Sequence, residues 1–376
     1  MAGVATTLPL ISVIIPCYNY ARYLPHAIDS ALAQKSDALD VEVIVVDDGS
    51  TDATARTAQG YGERVRYIFQ ENQGPSAARN TGLRAAQGDF LLFLDADDLL
   101  PAGNLEKHLA HFARRPELDI SVCLCVLTAD PFAQPVEGSL WPLKARHLDL
   151  HLCHANISPL HTFLMRADAL DVCGGFDESL CACEDQEYWL RCAARGLRFG
   201  SLTDTFVFYV QHDGSLSGKR PQQHAYDIKM QFAISGLLEQ YPDFPRAGKY
   251  LGRLAHAAGA LVSAGGGAAL LPDLAQQLLQ ECGLALLKAM AEPRESFEDR
   301  HLALAEEYYA SAFFMLGRED IVCLPPTLQK ALGYLRRKFP HLAGIDAATL
   351  AQKRSRLFQK LCCDPSACFA AVQKGR

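Results

Sequence analysis

Val41-Glu42-Val43-Ile44-Val45-Val46-Asp47-Asp48-Gly49-Ser50-Thr51-Asp52 is the stretch whose reading decides the fold. Its first half is a β-branched apolar run of strand length, and its second half is a polar cluster in which Ser50 or Thr51 is placed to cap a following helix. To the N-terminal side, Leu10 to Ile15 is another β-branched run, and Ala21 to Ala33 carries Leu24, Ile28, Ala31 and Leu32 at helical spacing. To the C-terminal side, Val65 to Phe69 predicts a third strand and Gly74-Pro75-Ser76 opens a helix through Ala86. Phe90 to Leu94 then predicts a fourth strand that ends at Asp95. Strands and helices alternating in this way form a doubly wound, mostly parallel sheet. Ligands on such sheets bind beyond the carboxyl ends of the strands, where the acidic clusters after Val46 and Leu94 fall.

Further out the pattern changes twice. From Leu118 it is α+β: strand-like Ile120 to Leu127, a proline-rich stretch Pro131 to Pro142, and strands near Thr162 to Met165 and Val207 to Val210. Beyond His224 the composition turns to helix formers, as in Leu274 to Met290 and Glu306 to Leu316. Two units are therefore expected, residues 1–223 as an α/β domain and residues 224–376 as a helical one. Leu254 to Leu271 contains His256, Ser263 and Gly265-Gly266-Gly267, which reads as two helices meeting at a glycine turn rather than a membrane span.

The chain has 376 residues, 49% of them hydrophobic and 21% charged, as in folded globular proteins. Its formal charge of −7, from 36 basic and 43 acidic side chains, gives no positive field to hold nucleic acid. An anionic small ligand remains compatible, because a divalent cation bridges carboxylates to a diphosphate. Met1 to Leu10 carries no Lys or Arg, so a secretory signal is not expected. Thirteen scattered cysteines, an odd number, fit free thiols in a reducing cytoplasm. Cys173, Cys181 and Cys183 do not have zinc-site spacing.

Four strings in order carry a family resemblance: Ile11-Ser12-Val13-Ile14-Ile15-Pro16-Cys17-Tyr18-Asn19, Val46 to Asp52, Gly74-Pro75-Ser76-Ala77-Ala78-Arg79-Asn80-Thr81-Gly82, and Leu94-Asp95-Ala96-Asp97-Asp98. Each stands at a strand end or a helix start, and together they resemble the inverting glycosyltransferase family two. The resemblance implies a GT-A fold, a mixed, mostly parallel sheet flanked by helices, over the first domain and not over the helical tail. It also implies a UDP-sugar donor, Mn²⁺ or Mg²⁺, and transfer to a glycan, glycolipid or protein acceptor, as in polysaccharide biosynthesis.

Asp95-Ala96-Asp97 is similar to the family's DXD motif, so Asp95 and Asp97 are expected at a metal and Ala96 at the donor between them. Hard divalent cations prefer carboxylate oxygens and leave positions for phosphate. Asp48 is expected to accept a hydrogen bond from uracil, with Pro16 and Tyr18 forming the wall around the base. Helix N-terminal charge is the plainer reading of Asp47 and Asp48. Arg79 and Asn80, one turn into a helix, are expected on the donor side, although a surface arginine is the ordinary finding.

Gly174-Gly175-Phe176-Asp177-Glu178 followed by Glu184-Asp185-Gln186-Glu187-Tyr188-Trp189 looks like the acceptor-side signature. The resemblance makes Asp185 the general base and Glu184 its neighbour that positions the acceptor, while Trp189 is expected in the core. His212 is similar to a loop histidine that completes the metal shell in some members, with Gln211 standing where many relatives have a basic residue nearby. A different class of function, a non-catalytic nucleotide-sugar-binding scaffold, is disfavoured by the presence together of Asp48, Asp95, Asp97 and Asp185. The tail is expected to position the acceptor or another subunit, including a second copy. Its basic clusters, Arg336-Arg337-Lys338 and Lys353-Arg354-Ser355-Arg356, suit a solvated face first and peripheral contact with the inner membrane face second.

Overall fold

Strand β1 (Leu10–Cys17) alternates its side chains between two cores. Ile11, Val13 and Ile15 pack with helix α1 (Leu24–Leu32), while Ile14 faces the other side. The computed structural model describes residues 8–129, 139–141, 148, 152, 156–180 and 184–212, with Arg337 and Ala348 as single helical positions. The expected tail domain, the 254–271 segment, Cys181, Cys183 and most of the proline-rich stretch lie outside the described residues. The elements that follow α1 are β2 (Asp40–Asp48), α2 (Thr54–Gln59), β3 (Val65–Gln70), α3 (Pro75–Ala85), β4 (Phe90–Phe93), α4 (Asn104–Arg114), β5 (Ile120–Thr128) and β6 (Ser139–Trp141). After them come β7 (Phe163–Arg166), α5 (Ala169–Cys173), α6 (Glu184–Ala194) and β8 (Phe199–Val210).

The strands form one sheet in the order β3-β2-β1-β4-β7-β5-β6, with β8 on β5. β1, β2, β3 and β4 are mutually parallel, β7 runs against β4 and β5, and β8 is parallel to β5. The carboxyl ends of β1, β2, β4 and β8 consequently share one edge. The chain goes outward to β3 and returns to β4, so β1 and β4 flank a topological switch point, where open α/β sheets bind ligands. Helices α1 and α4 cover one face with Leu24, Ile28, Leu105 and Phe112, whereas α3 and α6 cover the other with Ala78, Leu83, Tyr188 and Trp189. Among the described residues no helix is long and apolar enough to cross a membrane.

Two local expectations are corrected. Ser50 and Thr51 do not cap α2; Ser50 Oγ accepts from Asn19 N, and it is Asp52 that accepts from Thr54 N at 2.9 Å. β8 is much longer than Val207 to Val210. Its first half is hidden in sequence by Ser201, Thr203 and Asp204, because a register shift opposite Cys123 and Leu124 leaves residues 203–205 unpaired with β5.

Candidate active site

The loop after β1 is fastened to the loop after β2 by Asn19, a residue in the left-handed region with φ 60°. Its amide N–H donates to Ser50 Oγ at 2.9 Å, and its side-chain oxygen accepts from Thr51 N at 2.8 Å. Pro16 stands half-buried at the end of the strand and Tyr18 is exposed beside it. Beneath them Asp47 is buried and accepts from the Tyr67 hydroxyl and from Ser50 N, both at 2.8 Å. Asp48, also buried, accepts from Gln70 Nε2 at 2.7 Å, Gln73 N at 2.9 Å and Gly74 N at 2.8 Å. The last two are amides just before α3. Asp48 thus lies at a helix N-terminus, though of the helix after β3 rather than the one that follows it in sequence.

At the end of β4 the acidic residues each meet a different basic partner. Asp95 Oδ1 accepts from Arg79 Nη2 at 3.1 Å, Asp97 Oδ2 lies 3.0 Å from His212 Nε2, and Asp98 Oδ2 lies 3.0 Å from His161 Nδ1. Ala96 is buried between the first two, which leaves the carboxylates on either side of it. His212 stacks on the Tyr23 ring at 4.2 Å. Asp98 Oδ1 accepts from Val210 N at 2.8 Å and ties β8 to the cluster. Burial first, then the charge of Asp95, raises the Asp97 carboxyl; burial and the charges of Asp97 and Asp95 push Asp98 well up. Burial and mutual repulsion thus both oppose ionisation of the cluster, and a bound cation would offset both.

His161 was not singled out in the sequence, where it lies in the apolar run Leu160-His161-Thr162-Phe163-Leu164. It is fully buried, burial pushes its imidazole down to about 4, and among the described residues neither ring nitrogen makes an aligned hydrogen bond despite the short distance to Asp98. Asp95, Asp98 and His161 form, among the described residues, a group whose ligand atoms all lie within 4.8 Å of one another. The expected set of Asp95, Asp97 and His212 shares Asp95 with it.

Arg79 joins this edge to α6. Nη1 donates to Glu184 Oε1 at 2.6 Å while Nη2 serves Asp95, and the guanidinium lies 5.5 Å from the Phe176 ring centroid. Burial disfavours its charge, but Glu184 and Asp95 outweigh that and hold the proton more firmly than in water. Arg79 is therefore a buried bridge and not a surface arginine. Asn80 beside it also faces inward: Nδ2 donates to Phe176 O and Glu178 Oε1, and Oδ1 accepts from Phe176 N at 2.7 Å. Gly175 permits this approach, since a Cβ there would stand 2.5 Å from Asn80 Oδ1.

Glu184 and Asp185 begin α6 side by side with different surroundings. Glu184 is paired with the Arg79 cation, whereas Asp185 accepts from two neutral donors, Asn156 Nδ2 at 2.5 Å and Gln186 N at 2.8 Å. Burial, followed by the charge of Glu184, raises the Asp185 carboxyl to about 6, with Gln186, Arg79 and Asn156 acting in the opposite sense. Such a group is ionised near neutral pH yet binds a proton readily, as general-base work requires. Trp189 is fully buried and stacks on Phe163 at 4.2 Å, so it belongs to the core, as expected.

Residues 12–171 match the profile described as Glycosyl transferase family 2. A glycosyltransferase of Rickettsia typhi is 33% identical over 200 residues, 50% of this chain and 59% of the relative. Chondroitin synthase of Escherichia coli is 34% identical over 200 residues, 50% of this chain and 27% of the synthase. The chain thus spans less than two thirds of the length of either relative. Among solved structures, S. aureus TarS 1-349 in complex with UDP-GlcNAc superposes with a TM-score of 0.55 at 18% identity, covering 87% of this chain and 92% of that one. This last likeness is one of fold, a GT-A sheet with flanking helices.

Proposed function

We propose that this chain, a glycosyltransferase whose residues 12–171 belong to glycosyl transferase family 2, moves a sugar from a UDP-sugar to a hydroxyl of a glycan or glycolipid, with inversion and with Asp185 as general base. The observation that carries the reading is the Arg79 bridge. Because Arg79 holds Asp95 at 3.1 Å and Glu184 at 2.6 Å, the carboxylates at the end of β4 and the start of α6 are brought together on one guanidinium. A donor bound at the first is then within reach of a base at the second, an arrangement that replaces a chance encounter by a held one.

On the donor side, Pro16 and Tyr18 border the base, and Asp48 receives its N3–H. A carboxylate offers about four acceptor positions, and protein donors fill three on Asp48, leaving one for uracil. Asp97 and His212, with Asp95, are suited by their oxygen and imidazole donors to hold Mn²⁺ or Mg²⁺. Such an ion, when bound, stabilises the negative charge of the departing diphosphate. Ala96 separates the carboxylates on that wall, and Asn80 serves the donor side by holding the 174–178 loop against α3.

At the acceptor, Asp185 takes the hydroxyl proton as the oxygen bonds to the anomeric carbon, and the bond from that carbon to UDP breaks. One displacement converts an α-linked donor into a β-linked product. Glu184, neutralised by Arg79, orients the acceptor without competing for its proton. Residues 1–223 supply this chemistry, and residues 224–376 position the acceptor or another subunit, a division that truncation at residue 223 tests directly. For the donor wall the decisive experiment is calorimetry of UDP binding with and without Mn²⁺. Asp97→Ala is expected to lose the Mn²⁺-dependent part of the affinity; equal metal dependence in variant and wild type would overturn the assignment.

A further inference from the structure

Asn156 stands four residues before the 3₁₀ turn Leu160–Thr162 that leads into β7, far in sequence from any motif discussed above. Its Nδ2 donates to Asp185 Oδ2 at 2.5 Å. Its own carbonyl oxygen, Oδ1, is buried and has no partner among the described residues. A side-chain amide has two orientations, and the other one would set two oxygens against each other at Asp185. The orientation present serves the carboxylate and leaves the amide's own acceptor unsatisfied, which is unfavourable for a group kept only for packing.

From this geometry we infer that Asn156 is a positioning residue for the reaction, fixing the rotation of the Asp185 carboxylate and favouring its charged form. The inference rests on the proposed role of Asp185 as the base. The groups that face Asp185 give Asn156 its leverage. Glu184, on the same helix, opposes the charge, and burial opposes it further; Arg79, from α3, supports it but is shared between Glu184 and Asp95. Gln186 N satisfies Oδ1 from within the helix, so among the described residues Asn156 is the side chain that donates to Oδ2. With it removed, the carboxylate turns more freely and binds its proton more tightly, and the acidic limb of the rate profile moves to higher pH.

The test uses the full chain labelled with carboxyl-¹³C aspartate, the Asp185 resonance being identified by its disappearance in Asp185→Asn. Asn156→Leu keeps the branching at Cγ without a donor, and Asn156→Ser is too short to reach. Both are expected to raise the Asp185 titration midpoint by about one unit. An unchanged midpoint in both variants would overturn the inference, whatever the catalytic result. UDP release from UDP-GlcNAc with Mn²⁺ over pH 5 to 9 forms the second arm, in which the acidic limb is expected to follow the midpoint. Should Asp185→Asn transfer sugar at the wild-type rate, the general-base reading fails, while the midpoint shift still reports the hold of Asn156 on Asp185.

Discussion

Asp48 and Asp185 are both buried-edge carboxylates at helix N-termini, yet their surroundings differ in kind. Asp48 is met by three donors at 2.7–2.9 Å, two of them backbone amides leading into α3. Among the described residues Asp185 is met by two donors; it stands next to Glu184 and has its carboxyl raised to about 6. The helix N-terminus is common to both, so it does not decide the chemistry. What decides it is the balance between donors that stabilise the charge and burial or like charge that oppose it. A satisfied carboxylate is suited to hold and recognise, whereas an under-satisfied one is suited to take a proton.

The comparison breaks most visibly at Arg79, the cation that pairs with Glu184 beside Asp185. Arg79→Met would leave Glu184 and Asp95 without their shared partner, and a loss of about 3–5 kcal/mol in stability is expected by denaturant unfolding. Next is Asp185→Asn, which keeps size and the Asn156 contact but cannot accept a proton. Transfer should fall by about a hundredfold or more in kcat with donor Kd little changed, and single-turnover UDP release measures both.

Gly82→Ala probes the seat of α3, which carries Arg79 and begins at the amides on Asp48. A Cβ at residue 82 would stand 2.3 Å from Ile14 Cγ2, so overpacking of about 1–3 kcal/mol is expected, with loosening of both carboxylate sites. The smallest effect is on stability at Asp185 itself. Because the folded-state value of Asp185 is raised to about 6 from 3.8, the folded protein binds more protons than the unfolded chain between about pH 4 and 6. The carboxylate therefore withdraws stability as pH rises through that window. Asp185→Asn should be more stable than wild type at pH 7, by on the order of 1–2 kcal/mol, with the gain absent near pH 3.5 in parallel thermal melts.

Residues 10–94 were legible because their signals are local. Apolar runs of strand length, helical spacing and Gly-Pro breaks act within a few residues, so β1 to β4 and α3 lie where the pattern puts them. The acidic strings after β2 and β4 were legible for the same reason, standing at strand ends. Where local pattern and pairing disagreed, as over residues 199–206 of β8, the reading stopped at the apolar half.

The sequence by itself determined the alternating α/β layout and the position of the acidic loops on the carboxyl edge. Only the tertiary structure decided which charge meets which: Arg79 with Glu184 across 105 residues, His212 with Asp97 across 115, and Asn156 with Asp185. It also turned Asn80 inward, paired Asp98 with His161, and placed Asp48 at the start of α3. Strand order and the close seat of α3 on β1 set these pairings, and a proton's affinity at a carboxylate depends on neighbours in space rather than in sequence.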